Sequence, residues 1–307
     1  MNFIFDNVDF NSTAGPYWFA NKLRKSFENK GHIVNELDMM PDAQLSFVSA
    51  SERISGVPLF QRLDGIWYDT ETDYKKMNEP IKNTYDVADG VIFQSKFDHD
   101  FISHHFGVHS NYAIIHNGSD LDYIQDIPVA IGLENIPTVW TCASSWVNAS
   151  GSLRHNKRLN ENIRYFQEHS SSSDILCVAG DVGTLESPDP TRIVFLGELA
   201  VFSLISLYKR SDWFIHLAAQ DHCPNVVVDA KAAGCRIVCA SSGGTAEIAG
   251  KDAVVVIDSN EHGFVAYNYN VPTTLDFSKK IDNWHDDLDL SIDTVADQYL
   301  EFIKNEK

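Results

Sequence analysis

The chain has 307 residues, long enough for two domains, and 44% of them are hydrophobic, an ordinary globular share. A formal net charge of −19 excludes a general nucleic-acid binder, which needs a basic face to displace counterions. No apolar run approaches the length of a membrane span. The opening residues Met1, Asn2, Phe3 and Ile4 lack the basic region, apolar stretch and cleavage site of a signal peptide.

Short β-rich runs alternate with amphipathic stretches, the pattern of parallel α/β units. Met1–Phe5 reads as a strand, followed by a loop over Asn11–Pro16. Phe19, Leu23 and Phe27 then recur every four residues, with Lys22, Arg24, Lys25 and Lys30 around them, which predicts a helix with one apolar face. Gly31 stops it, and His32–Val34 starts another strand. Gln44–Val48 and Pro58–Gln61 are weaker strands; Gly90–Gln94 and Tyr112–His116 are strong ones. A stretch with two prolines and little periodicity, near Gln125–Pro137, marks a break. Strands are expected again at Thr138–Cys142, Ile175–Ala179, Ile193–Leu196, Trp213–His216, Cys235–Ala240 and Ala253–Val256. Val295, Leu300 and Ile303 belong to a final helix. The fold class is α/β, with two Rossmann-like domains over residues 1–128 and 129–285, then a helical segment over 286–307.

The five cysteines, Cys142, Cys177, Cys223, Cys235 and Cys239, include no Cys-x-x-Cys pair. They read as small buried hydrophobes in a reducing, cytoplasmic compartment. The sequons at Asn11, Asn117 and Asn148 therefore carry little meaning.

The densest chemistry lies in Asp221-His222-Cys223-Pro224-Asn225-Val226-Val227-Val228-Asp229, followed by the strand at Cys235 and then Gly243-Gly244-Thr245-Ala246-Glu247. A helix beginning near Pro224 presents free backbone N–H groups to an anion or a sugar hydroxyl. Asp229 lies about two turns beyond Asp221, so both carboxylates can hold hydroxyls of one ligand. Glu247 opens the next helix. The alternative is an ordinary strand-helix-strand unit with a capped helix.

This string resembles the nucleotide-sugar site of retaining glycosyltransferases, family 4 in particular. In that family two acids separated by seven residues, with a proline inside, precede a strand and a Gly-Gly-x-x-Glu turn. The family usually has Glu at both acidic positions, whereas this chain has Asp at both. Asp89–Ser95, Ile115–Asp120, Phe195-Leu196-Gly197-Glu198-Leu199 and Tyr208–Phe214 also resemble segments of the family, in the family's order.

The resemblance implies the GT-B architecture, with the donor in the interdomain cleft and the last helix crossing back to the first domain. Its donor set would be Lys157 and Arg154 on the diphosphate and Asp229 on the ribose. Asp221 and the backbone at Cys223, Pro224 and Asn225 would hold the sugar. Gly197, Glu198 and Leu199 would lie along the nucleobase, with Gly244 and Glu247 supporting the loop. Gly15 would let the first-domain backbone approach the phosphates closely. The implied activity is transfer of a sugar from a UDP- or GDP-sugar to a glycan, lipid or small-molecule acceptor. It would proceed with retention, without metal and without a cofactor. A nucleotide-sugar epimerase of the same fold and a non-catalytic nucleotide-sugar binder are the alternatives.

Arg62 and Asp64 follow a strand, so they can orient an acceptor hydroxyl, and Trp67 and Tyr68 can stack on a sugar. An Arg-Asp ion pair beside two core aromatics is the equal alternative. His99, His104, His105 and His109 match neither a zinc pattern nor one helix face. The triplets Asp98-His99-Asp100, Asp120-Leu121-Asp122 and Asp287-Leu288-Asp289 read as acidic caps or loops. The basic helix over Asn21–Lys30 offers a face to an anionic membrane, but the acidic balance favours a solvated face.

Overall fold

A computed structural model describes residues 1–12, 15–36, 38–259 and 263–305. Thr13 and Ala14, in the loop expected over Asn11–Pro16, lie outside the described residues. Each expected strand forms, with ends moved by a residue or two.

The first sheet contains β1 (Asn2–Asp6), β2 (Ile33–Val34), β3 (Ala43–Phe47), β4 (Leu59–Arg62), β5 (Gly90–Phe93) and β6 (Tyr112–Ile114). All its pairings are parallel, in the order β2-β1-β3-β4-β5-β6. Its helices are α1 (Gly15–Asn29), α2 (Tyr74–Tyr85), α3 (Lys96–Phe106) and the short α4 (Leu121–Asp126).

The second sheet contains β7 (Val139–Ala143), β8 (Ile175–Ala179), β9 (Ile193–Gly197), β10 (Trp213–His216), β11 (Arg236–Ala240), β12 (Val254–Asp258) and β13 (Leu275–Asp282). Its order is β13-β12-β11-β10-β7-β8-β9. With it go α5 (Leu159–His169), α6 (Val201–Arg210), α7 (Asn225–Ala232) and α8 (Thr245–Ala249). The sequence reading missed β13. Only Leu275 and Phe277 are buried in it, and the strand is exposed from Ser278 onward, so it shows no sustained alternation. It runs antiparallel beside β12 as an edge strand, carrying Lys279 and Lys280. Charges of this kind discourage pairing with another chain.

Phe19, Leu23 and Phe27 of α1 pack on Phe3, Phe5 and Leu45, as their spacing predicts. Helix α9 (Ile292–Asn305) joins the same core through Ile292, Val295, Ala296, Tyr299, Leu300 and Ile303. The first sheet is therefore covered partly by residues that follow the second.

Lys22 departs from the expected solvated pattern: it is buried. The other cations of α1 face acids of this same chain, Arg24 with Glu28 and Lys25 with Asp120, and Lys30, just past its end, faces Asp297. Among the described residues no helix is long and apolar enough to cross a membrane.

Candidate active site in the interdomain cleft

In an open parallel sheet the crevice lies at the carboxyl ends of the strands, where the strand order reverses. In the second sheet that point falls between β7 and β10, and in the first between β1 and β3. Both open onto one cavity of about 860 Å³. Ser12, Gly15 and Trp18 line it from the first domain, after β1. Opposite them stand the loop 143–149 after β7, Gly180 and Asp181 after β8, and Glu198 and Leu199 after β9. Asn225, Val226 and Asp229 of α7 complete the wall. Gly15, Glu198, Leu199, Asn225 and Asp229, five residues expected in the donor set, thus meet around one space.

Helix α7 starts one residue later than expected. Pro224 is its N-cap, and the Val227 and Val228 N–H groups both bond the Pro224 carbonyl. The Asn225 and Val226 N–H groups remain outside the helix ladder. Asn225 Nδ2 donates to the Gly15 carbonyl at 2.8 Å. The positive ends of α1 and α7 therefore converge on the cavity.

Asp221 sits on the loop after β10 and is not in the cavity wall. The chain enters that loop through Gln220, a non-glycine residue at φ +50°. Tyr68 Oη donates to the Gln220 carbonyl at 3.2 Å, and Gln220 Nε2 donates to the Gly263 carbonyl at 2.8 Å. Such backbone strain persists only where the surroundings fix it. The turn directs Asp221 back to Lys157 Nζ at 2.8 Å and His216 Nε2 at 3.1 Å. Burial alone would raise the Asp221 carboxyl, but the Lys157 ammonium and His216 hold it well below the usual carboxylate range.

The Gly-Gly turn shapes this loop by close packing. A Cβ on Gly244 would stand 2.1 Å from the His222 carbonyl oxygen and 2.4 Å from Ser95 Oγ. The Gly244 N–H donates to the Asp221 carbonyl at 2.8 Å. Gly244 thus seats the second domain on the first, with no room for a ligand on that side. The Cys223 carbonyl accepts from Asn117 Nδ2 at 2.8 Å. Burial pushes the Cys223 thiol up to about 12, which favours the neutral thiol.

Both remaining acids of the motif also meet first-domain donors. Asp229 accepts from Lys22 Nζ at 2.9 Å, Ser119 Oγ at 2.6 Å and Trp18 Nε1 at 3.1 Å. Glu247 accepts from the Lys96 and Phe97 backbone N–H groups at 2.8 and 2.9 Å and contacts His116 Nε2 at 3.1 Å. It therefore caps α3 of the other domain.

Residues 147–289 match the family described as glycosyl transferases group 1. The match falls on the second domain and covers a little under half of the chain. No curated protein matches the chain by sequence. HepE of Anabaena, solved in complex with UDP-glucose, superimposes with a TM-score of 0.63 at 14% identity, covering 99% of this chain and 100% of that one. Sucrose-phosphate synthase from Thermosynechococcus elongatus gives 0.65 at 12% identity, over 86% and 87% of the two chains. AviGT4, a glycosyltransferase involved in avilamycin A biosynthesis, gives 0.60 at 10% identity, over 99% and 97%. At these identities the likeness is one of fold, and the fold is GT-B.

The second domain does not bring all its expected residues to the cavity. Gly197 ends β9 at φ +67°, beside Glu198. Arg154 lines a separate 270 Å³ pocket with His155, Asn160 and Asn270, apart from the cleft. Its flanking Arg158 is fully buried against Asp258 at 2.9 Å. Lys157 is spent on Asp221, so no lysine or arginine is among the described residues lining the cavity.

In the first domain, fully buried Arg62 pairs with Asp64, stacks on Phe19 and donates to Asn117 Oδ1 at 2.7 Å. Burial raises the Asp64 carboxyl despite Arg62. Tyr68 is in an aromatic core with Phe101 and Tyr267, while Trp67 is half exposed. The ion pair and the core position of Tyr68 follow the alternative reading of this segment.

The histidines have other partners: His99 stacks on Tyr112, and His109 contacts the Asn111 and Ala88 carbonyls. Asp120 caps α4. Asp98, however, is fully buried in α3 and lies 2.8 Å from His222 Nδ1 of the other domain. Among the described residues no three His, Cys, Asp or Glu side chains cluster as a metal site would require.

The sequence reading gave Trp18, Lys22 and Asp98 no site role, and took Ile115–Asp120, which holds His116, Asn117 and Ser119, as a family segment without its contacts to the second domain. For Lys22 the available signal was its place one residue from the apolar position Leu23.

Proposed function

We propose that this protein is a glycosyltransferase that binds a nucleotide-sugar in the cleft between its two domains and passes the sugar to an acceptor. The observation that carries this reading is the 860 Å³ cavity, where both topological switch points and two helix N-termini converge. A diphosphate needs positive potential at its leaving-group oxygens, and in this cavity the N-termini of α1 and α7 are the nearest source. The Glu198–Leu199 edge would receive the base and Asn225 the diphosphate. Asp221, paired with Lys157, would border the sugar, so that Lys157 reaches the phosphates only by leaving Asp221. The donor is UDP- or GDP-linked on this reading, and transfer proceeds with retention, without metal and without a cofactor. The group 1 domain supports the transferase class, and HepE, solved with UDP-glucose, supports a nucleotide-sugar in a cleft of this fold.

A non-catalytic nucleotide-sugar binder is the second reading. It is favoured by one observation: both aspartates of the motif are already satisfied by protein donors. Thermal-shift titration with UDP, GDP, ADP and their sugar conjugates, followed by assay of donor turnover, separates the two. A rise in midpoint with one base, together with release or transfer of the sugar, supports the transferase. Binding without turnover supports the binder, and no shift with any nucleotide overturns both.

A further inference from the structure

Three first-domain donors meet at Asp229. Trp18 and Lys22 stand four residues apart on α1 and so share one face of it. Ser119 is held on both sides by the segment entering α9: its N–H donates to the Leu290 carbonyl at 2.7 Å, and its carbonyl accepts from Ile292 N at 2.8 Å. Lys22 Nζ and Ser119 Oγ both bond Asp229 Oδ1, and Trp18 Nε1 bonds Oδ2. The ion pair is nearly dry, with side-chain exposures of 4% for Lys22 and 9% for Asp229, while the Trp18 bond is part-buried.

An ionised carboxylate offers about four acceptor positions. Three are filled here, and the fourth belongs to Oδ2. Asp229 and Trp18 both line the cavity, so that position lies at its wall. A ribose presenting two neighbouring hydroxyls finds room for one of them, unless Trp18 is displaced.

We propose that Lys22 is a positioning residue of the donor site, locking the Asp229 carboxylate so that it accepts a single ribose hydroxyl. This rests on reading the cleft as a nucleotide-sugar site. Lys22 acts through Asp229 and touches no donor atom. Without its ammonium, a buried carboxylate keeps two neutral donors and an uncompensated charge, and it turns away from the position the ribose needs.

The test has two arms. The first uses nucleotide-free protein and follows exchange of the Trp18 indole N–H by NMR, assigned through Trp18→Phe. Slow exchange in the wild type, accelerated by about tenfold in Lys22→Met and restored in Lys22→Arg, supports the lock. Fast exchange in the wild type, or equal rates in Lys22→Met, overturns it. Should Lys22→Met fail to fold, Ser119→Ala gives the same comparison, with faster exchange expected and an unchanged rate overturning the lock.

The second arm measures affinity for UDP and GDP and for analogues lacking one or the other ribose hydroxyl. Lys22→Met should bind about tenfold more weakly, Lys22→Arg should recover, and only one of the two analogues should lose affinity. Equal affinity for wild type and Lys22→Met, or loss with both analogues, refutes the single-hydroxyl lock while leaving the donor site standing. A wild type that binds no nucleotide refutes the donor reading, and the lock is then decided by indole exchange alone.

Discussion

Glu247→Ala should loosen the two domains from each other, because this side chain ties them through the start of a helix. Its carboxylate caps the first turn of α3, which follows β5 in the other sheet, and contacts His116 after β6. The Lys96 N–H is exposed and can turn to water once the carboxylate is gone. The Phe97 N–H is part-buried, and leaving such a donor unmet costs about 1–3 kcal/mol. Loss of a helix cap costs about 0.5–2 kcal/mol. The two overlap at one helix end, so the expected loss is about 2–3 kcal/mol, which corresponds to a fall in melting midpoint of about 3–5 °C for a chain of this size.

Glu247→Gln keeps one acceptor oxygen and should lose about half as much. The pH dependence has a fixed sign. Burial alone would raise the Glu247 carboxyl, but His116 and the Phe97 and Lys96 N–H groups lower it below the ordinary 4.5. Its stabilisation is therefore present above about 4.5 and is lost as pH falls through the folded value. Urea unfolding at neutral pH and at pH about 4 measures both effects. Were Glu247→Ala to unfold within about 0.5 kcal/mol of the wild type, the interdomain cap would contribute nothing to stability and the reasoning would be refuted.

Gly244→Ala should destabilise by about 2 kcal/mol or more, since its methyl would meet backbone at His222; unchanged urea unfolding would contradict that packing. Lys157→Met should weaken nucleotide-sugar binding about tenfold, measured by calorimetry, because Asp221 is left with His216 alone. Arg154→Ala should leave the same affinity within about twofold, since its pocket lies apart from the cleft, and a larger loss would place Arg154 back at the phosphates.

The strands and their parallel arrangement were legible because buried β-branched runs between helical stretches admit few other architectures. Edge strand β13 was not, because solvent on one side removes the hydrophobic signal that sequence reading depends on. In the candidate site, the acid pair and the Gly-Gly turn announced themselves by spacing, and the Gly197-Glu198-Leu199 segment only by its resemblance to the family. Their partners did not. Lys22 meets Asp229 across 207 positions of sequence, and Glu247 meets Lys96 across 151. No local period encodes such a meeting. A buried lysine and a solvated one look alike in a helix until the opposing carboxylate is in place.

Helix α9 also sets an order for the chain's birth. The first sheet lacks part of its cover until Ile292, Val295 and Tyr299 emerge. Roughly 180 residues separate Ile114 from Ile292, about 10–40 s of synthesis at about 5–20 residues per second. Through that interval the half made first keeps an apolar face uncovered, while the half made second can bury its own sheet between α5, α6 and α7. A chain stopped before α9 would present that bare face to chaperones and proteases, although both sheets had already been made.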